Sequence, residues 1–355
     1  MTACLTSSAS PAIMAKSPKL HDLAREANVS PATVSRVVAS NPSVNPAIRR
    51  QVQRAAKKLG IDLEEKRKGK SKVLAFLLAN RDVLHSFQAR VLLGAETYCS
   101  QQNWELMFMS FQYAPETPPE ALHLPQLLSS RTHARAVILG GSNYPNLFRA
   151  LETRGLPYAV LGNNVIGDWK AENCDIAYSD DIAGASEATA HLISKGHRSI
   201  AYIGNLQLPW FRRCALGYEQ AMATAGLTPR TIDIRSDGSQ LGYLATKTIF
   251  AKYRDLTAIL AGSDQVAAGV YDALREMNID IPGRISVVGF NDTQGSVLYP
   301  PLTSVREFPE ELGRHMAEFA LQRLQNPDLA TQELTIPTQL ILRSSVAAPP
   351  APAAD

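Results

Sequence analysis

Residues 19–61 read KLHDLAREANVSPATVSRVVASNPSVNPAIRRQVQRAAKKLGI. Apolar residues recur in it at helical spacing, in three short stripes. Leu20, Leu23, Ala24 and Ala27 form one, Val34, Val37 and Val38 the next, and Ile48, Val52, Ala55 and Leu59 the third. Three short helices are expected. Ser30 can cap the second, and Pro31 suits its first helical position. The third starts with the same signal, Asn45-Pro46, and stops at Gly60. Only Asn28, Val29 and Ser30 lie between the first two helices, which is the turn of a helix-turn-helix.

Charge points the same way. Residues 1–72 carry 14 Lys/Arg against 5 Asp/Glu, leaving 22 against 28 in the remainder of the chain. A basic head on an acidic body is the electrostatic footprint of nucleic-acid binding. Residues 62–72, DLEEKRKGKSK, read as a charged linker. Residues 1–17 and the Ala/Pro-rich tail 346–355 read as disordered. Cys4, Cys99, Cys174 and Cys214 show no CxxC spacing, so free thiols in a reducing compartment are expected, with no metal site. There is no long apolar run for a membrane span and no secretory leader, so a cytoplasmic protein is expected.

From Val73 onward the pattern changes. Short apolar runs at Val73–Ala79, Glu105–Phe111, Ala136–Leu139, Tyr158–Leu161, Asp175–Tyr178, Ser199–Ile203, Ala258–Leu260 and Ser286–Val288 predict strands. Helical stretches at Ala89–Gln102, Ile182–Lys195, Ala215–Ala225, Leu241–Tyr253 and Gln265–Met277 fall between them. This alternation predicts an α/β fold with parallel, doubly wound sheets. Ligands in such folds bind beyond the carboxyl ends of the strands. Those ends hold small and polar residues, among them Arg81, Ser142, Asp264 and Asn291.

The segment 19–61, above all VSPATVSRVV, closely resembles the DNA-binding head of the lactose-repressor (LacI/GalR) family of bacterial regulators. RSIAYIG, LGYEQAMATAGL, TAILAGSDQVAAGVYDAL, DIPGRISVVGFND, PPLTSVRE and LILRSS resemble motifs of that family's regulatory domain, in the family's order. The resemblance covers residues 19 to 345 and implies a periplasmic-binding-protein-like (type I) domain of two Rossmann-like halves. It places an N-subdomain at 73–175 plus 306–333 and a C-subdomain at 176–303 plus 334–345. It implies a homodimer on a palindromic operator in double-stranded DNA, with repression as the usual outcome. The family's base-reading positions fall on Pro31, Ala32 and Arg36. Arg36 can grip guanine through two donors, whereas Pro31 and Ala32 offer only apolar contact. Ser30, Thr33, Ser35 and Asn45 are expected at phosphates, with Ser30 and Asn45 also capping, and Arg49 adds positive charge.

The resemblance also implies an effector cleft between the halves, and here the sequence departs from the pattern. The ligand-holding arginine position is Cys214, with Arg212 and Arg213 beside it. The pocket aspartate after VVGF is Asn291, and Ser263 precedes Asp264 where an asparagine is usual. Phe87, Gln88, Ser142, Trp210, Arg212, Arg213, Asp237, Asp264 and Asn291 are the expected effector contacts, for a sugar, sugar acid or sugar phosphate. The proline-asparagine pair that usually leads from the head into a hinge helix is missing, and residues 62–72 offer no convincing minor-groove leucine. No nucleophile elbow, HExxH, P-loop or GxGxxG follows a strand. No enzyme activity, cofactor or metal is therefore expected, and His191 and His197 read as capping or packing groups. A cytosolic solute-binding protein without a regulatory role is the competing reading.

Overall fold

The computed structural model describes residues 20–38, 44–61, 63, 71–81, 85–128, 133–167, 174–236 and 238–351. The expected disordered N-terminus 1–17, most of the linker, Asp237 and residues 352–355 lie outside the described residues. The chain divides into two compact units between Ser71 and Lys72.

The first unit holds α1 (Leu20–Glu26), α2 (Pro31–Val38) and α3 (Pro46–Lys58). Leu23, Ala27, Val34, Val37, Val52 and Ala56 close its core, with Leu63 packed against it. The caps form as the sequence predicts. The Thr33 amide donates to Ser30 Oγ at 3.1 Å, and the Ala47 amide to Asn45 Oδ1 at 2.8 Å. Gln51 Nε2 donates to the Ala27 carbonyl at 2.9 Å, and Lys58 pairs with Glu26 at 2.7 Å; both contacts tie α3 to the end of α1.

The second unit is two six-stranded sheets with matching strand orders. The first contains β1 (Val73–Ala79), β2 (Glu105–Phe111), β3 (Val137–Gly141), β4 (Tyr158–Leu161), β5 (Asp175–Ser179) and β11 (Glu333–Ile336), ordered β2-β1-β3-β4-β5-β11. The second contains β6 (Ile200–Gly204), β7 (Thr231–Asp233), β8 (Ala258–Ala261), β9 (Ser286–Asn291), β10 (Thr303–Arg306) and β12 (Gln339–Ile341), ordered β7-β6-β8-β9-β10-β12. Every pairing is parallel except β10 with β12. Six helices are used below: α4 (Ser86–Gln101), α5 (Pro145–Thr153), α6 (Asp181–Ser194), α7 (Pro209–Thr224), α8 (Gly238–Lys252) and α9 (Asp264–Glu276). A further helix, α10 (Pro309–Gln325), returns from the second half to pack on α4. Gly94 makes that approach possible, because a Cβ there would fall 1.9 Å from the Glu310 carbonyl oxygen. Each sheet carries apolar clusters on both faces, the burial a parallel sheet needs.

The structure moves the chain crossings. β5 belongs wholly to the first sheet, so the first passage between halves follows Ser179 rather than residue 175. β11 also stays in the first sheet, so the last crossing falls between Ile336 and Gln339 rather than after residue 333. The start of the tail is fixed, contrary to the expected disorder. Val346 packs on the second core, and Ala347 bonds to His197 and Ser286.

Candidate functional site

On the head, α2 buries Val34, Val37 and Val38. Its other side presents Pro31, Ala32, Ser35 and Arg36, all exposed, with Thr33 half-buried. Ser30 and Asn45, at the helix starts, are exposed, and Arg49 is half-buried on the first turn of α3. Arg50, Arg54, Lys57 and Lys58 are exposed along α3. The eight expected DNA contacts therefore all reach the surface of a unit whose exposed charge is mostly positive.

In the second unit a cavity of about 350 Å³ opens between the two halves. It lies beyond the carboxyl ends of the strands, where doubly wound sheets place their ligands. Phe87, Trp210, Phe211 and Phe290 supply aromatic wall, and Gln88, Asn163, Asn164, Gln265, Asn291 and Gln294 supply amides. Arg81, Asp181 and Glu307 also line it. Aromatic faces among amide donors and acceptors suit a ligand with apolar faces and a ring of hydroxyls.

Of the expected contacts, Phe87, Gln88, Trp210 and Asn291 line this cavity. Gln88 Oε1 accepts from the Gly141 amide at 3.3 Å, which fixes the amide's orientation. Trp210 stands under the Arg81 guanidinium, 4.6 Å from carbon to ring centroid, so the two halves touch across the cleft. Asn291 ends β9 at a positive φ of 78°, and its Oδ1 accepts from the Thr293 hydroxyl at 2.8 Å.

Four other expected contacts do not line the cavity. α7 starts at Pro209, not at Ala215, and its helical geometry directs the two arginines away. Arg212 is exposed and donates to the Leu206 carbonyl. Arg213 donates to Asp181 Oδ1 at 2.6 Å and lies over the Tyr178 ring. Ser142 is buried behind β1, its amide donating to the Ala79 carbonyl. Asp264 is fully buried at the start of α9, where it accepts from the Gln294 amide and the Ser304 hydroxyl. Burial pushes its carboxyl up to about 6. Asp292, next to Asn291, is clamped by Arg306 and Arg343, both at 2.7 Å.

Two acidic cavity residues were not among the expected contacts. Asp181 opens α6 just past β5, and Asn163 Nδ2 donates to its Oδ2 at 2.8 Å. Burial raises its carboxyl above the ordinary range, against the opposing pull of Arg213. Glu307 lies between β10 and α10, and burial, then Asp181, pushes its carboxyl up to about 8. Both stand on crossings between the halves. The signal for Glu307 was the stretch PPLTSVRE, whose TSVR is β10, a strand too short and mixed to be read from periodicity.

The model of the bacterial regulatory proteins of the lacI family matches residues 19–61, and that of the periplasmic binding protein-like domain matches residues 189–346. The chain belongs to the lacI family. It is 27% identical over 341 residues to the ribose operon repressor of Haemophilus influenzae, covering 92% of this chain and 98% of that one. It is 28% identical over 336 residues to the regulator RegA of Clostridium saccharobutylicum, with coverage of 92% and 98%. Among solved structures, that of the transcriptional regulator CelR with cellobiose aligns at a TM-score of 0.69 and 27% identity, covering 92% and 99%. The lac repressor dimer bound to operator aligns at 0.68 and 22%, covering 94% and 100%, a likeness of fold. As a lacI-family member the chain is a DNA-binding transcriptional regulator with a small-molecule effector domain.

Proposed function

We propose that this lacI-family chain is a repressor. It binds a palindromic operator as a homodimer and changes its hold on that operator when a sugar-class effector occupies the cleft. The observation that carries the reading is α2 itself, which turns Arg36 and the Pro31-Ala32 pair outward from a closed core. A helix presented this way fits the major groove, with Arg36 on a guanine and the caps Ser30 and Asn45 beside phosphates. One head reads too few base pairs to define a genomic site, and a two-fold dimer supplies the second half-site.

The cleft supports a sugar through Trp210, Phe87 and its amides. Arg212 and Arg213, which would favour a sugar acid or phosphate, are engaged elsewhere. Selection of random duplexes by the full-length protein tests the reading. A two-fold symmetric site should emerge, and micromolar to millimolar sugars should shift its affinity. Enrichment of no palindrome would point instead to a solute-binding protein.

A further inference from the structure

Glu307 is the lining residue whose setting the effector reading has not used. It is 9% exposed and faces the cavity from the β10–α10 crossing. The charged and polar groups around it come from four elements: Asp181 of α6, Ser179 of β5, Arg90 of α4 and Asp264 of α9. Arg90, whose charge acts on Glu307, and the arginine on neighbouring Asp181 are both committed. Arg213 is on Asp181, and Arg90 holds both carboxylate oxygens of Glu310 at 2.5 and 2.8 Å. Arg81, which does line the cavity, is stacked on Trp210. Among the described residues no ion pair engages Glu307, and Ser179 contributes its only favourable hydrogen bond. Two buried carboxyls, Asp181 and Glu307, therefore line the cavity, and of the two only Asp181 is held in an ion pair among the described residues.

We propose that Glu307 selects the effector by charge, so that the cleft takes a sugar bearing a basic nitrogen, whose ammonium group sits on the Glu307 carboxylate. This rests on the sugar-effector reading above. An ammonium supplies the countercharge this carboxyl lacks, whereas a hydroxyl offers only a hydrogen bond. A sugar acid or phosphate would bring another negative charge beside Asp181 and Glu307. In the empty cleft the carboxyl keeps its proton up to about pH 8. Binding of the ammonium ionises it, and the proton passes to the buffer. Affinity then climbs as pH rises from 6 towards 8. Because Glu307 stands on a crossing between halves, the ligand's charge acts on a segment that links them.

The test is titration calorimetry of the full-length protein near neutral pH. The probes are D-glucosamine, D-galactosamine and D-mannosamine, each beside its parent hexose and its hexuronic acid. An amino sugar should bind at least about tenfold tighter than its hexose. Its heat should vary with the ionisation enthalpy of the buffer, a readout that needs no variant. Glu307→Gln should lose both the amine preference and the buffer dependence. A hexose or uronic acid that binds as well as its amine, or a preference that survives in Glu307→Gln, overturns the inference and leaves the sugar-effector reading standing. Binding by no probe overturns both.

Discussion

Arg213 closes on Asp181 at 2.6 Å, joining α7 to the first residue of α6 beside a cleft that Asp181 lines and Arg213 does not. Asp181 is 2% exposed, and its second oxygen accepts from Asn163. The arginine that the sequence offers as a ligand contact is therefore a neutraliser of a buried acid. Its removal leaves that acid without a countercharge. Arg213→Ala is expected to cost about 3–5 kcal/mol. Urea unfolding measures this, and adding Asp181→Asn to the same chain should recover most of the loss. An unchanged urea midpoint in Arg213→Ala would show that the pair carries no weight.

Arg36 faces outward from a helix whose buried side is three valines, so its substitution leaves the head's core alone. Arg36→Ala should weaken binding to the selected operator by about 1–3 kcal/mol per half-site while leaving non-specific binding nearly intact. Arg54→Ala, on the exposed side of α3, should instead weaken all duplexes alike and lessen the salt dependence. Gel shifts on operator and scrambled duplexes at several salt concentrations separate the two. Equal loss on both duplexes with Arg36→Ala would remove it from base reading.

The head was legible because its signals are local. The cap pairs Ser30-Pro31 and Asn45-Pro46 and the valine stripe of α2 lie within a few residues of one another, and the structure forms both caps. The parallel sheets were legible too, since strands buried on both faces read as apolar runs. What escaped depended on distant partners. The stretch PWFRRC carries no apolar stripe, so the first turns of α7 passed for loop, although Phe211 and Cys214 bury against a sheet built from other segments. Arg213 turns to Asp181 only once α6 and α7 pack, and no spacing in the sequence encodes that. Glu307 reaches the cleft because β10 pairs with β9 and β12, the latter from far along the chain.

Stability should fall as pH rises through the neutral range. Burial lifts Glu307 from the ordinary 4.5 to about 8 and Asp264 from 3.8 to about 6. The folded protein thus keeps protons that the unfolded chain has lost, from about pH 4 upward. Unfolding releases protons across that window, so each increment of pH favours the unfolded chain until about pH 8. For Glu307 alone the loss amounts to roughly 5 kcal/mol at most. Urea unfolding at pH 5.5 and 8 should show a shallower decline in Glu307→Gln than in the parent. Identical slopes would place the carboxyl in water rather than in the cleft wall.

His197 works in the opposite sense and secures the chain's end. Its ring is buried, with Nδ1 2.9 Å from the Thr257 hydroxyl and Nε2 2.9 Å from the Ala347 carbonyl and 3.0 Å from Ser286 Oγ. A carbonyl only accepts, so Nε2 carries the proton and Nδ1 is left to accept from Thr257. A second proton would reverse that bond and turn the Thr257 hydroxyl to the Ser199 carbonyl, while burial lowers the ring below the ordinary 6.5. The unfolded chain takes up the proton first, so this group's contribution is complete above pH 6.5 and is lost as pH falls below it. His197→Ala also removes one partner from each of the Thr257 and Ser286 hydroxyls, which keep Ser199 and Ala347, at a cost of about 1 kcal/mol. Ending the chain after Ser345 removes the same Ala347 bonds from the other side. The two changes should therefore be less than additive in a double-mutant cycle. Thermal unfolding above and below pH 6.5 measures all of this, and strict additivity would mean that the histidine and the tail stabilise the fold independently.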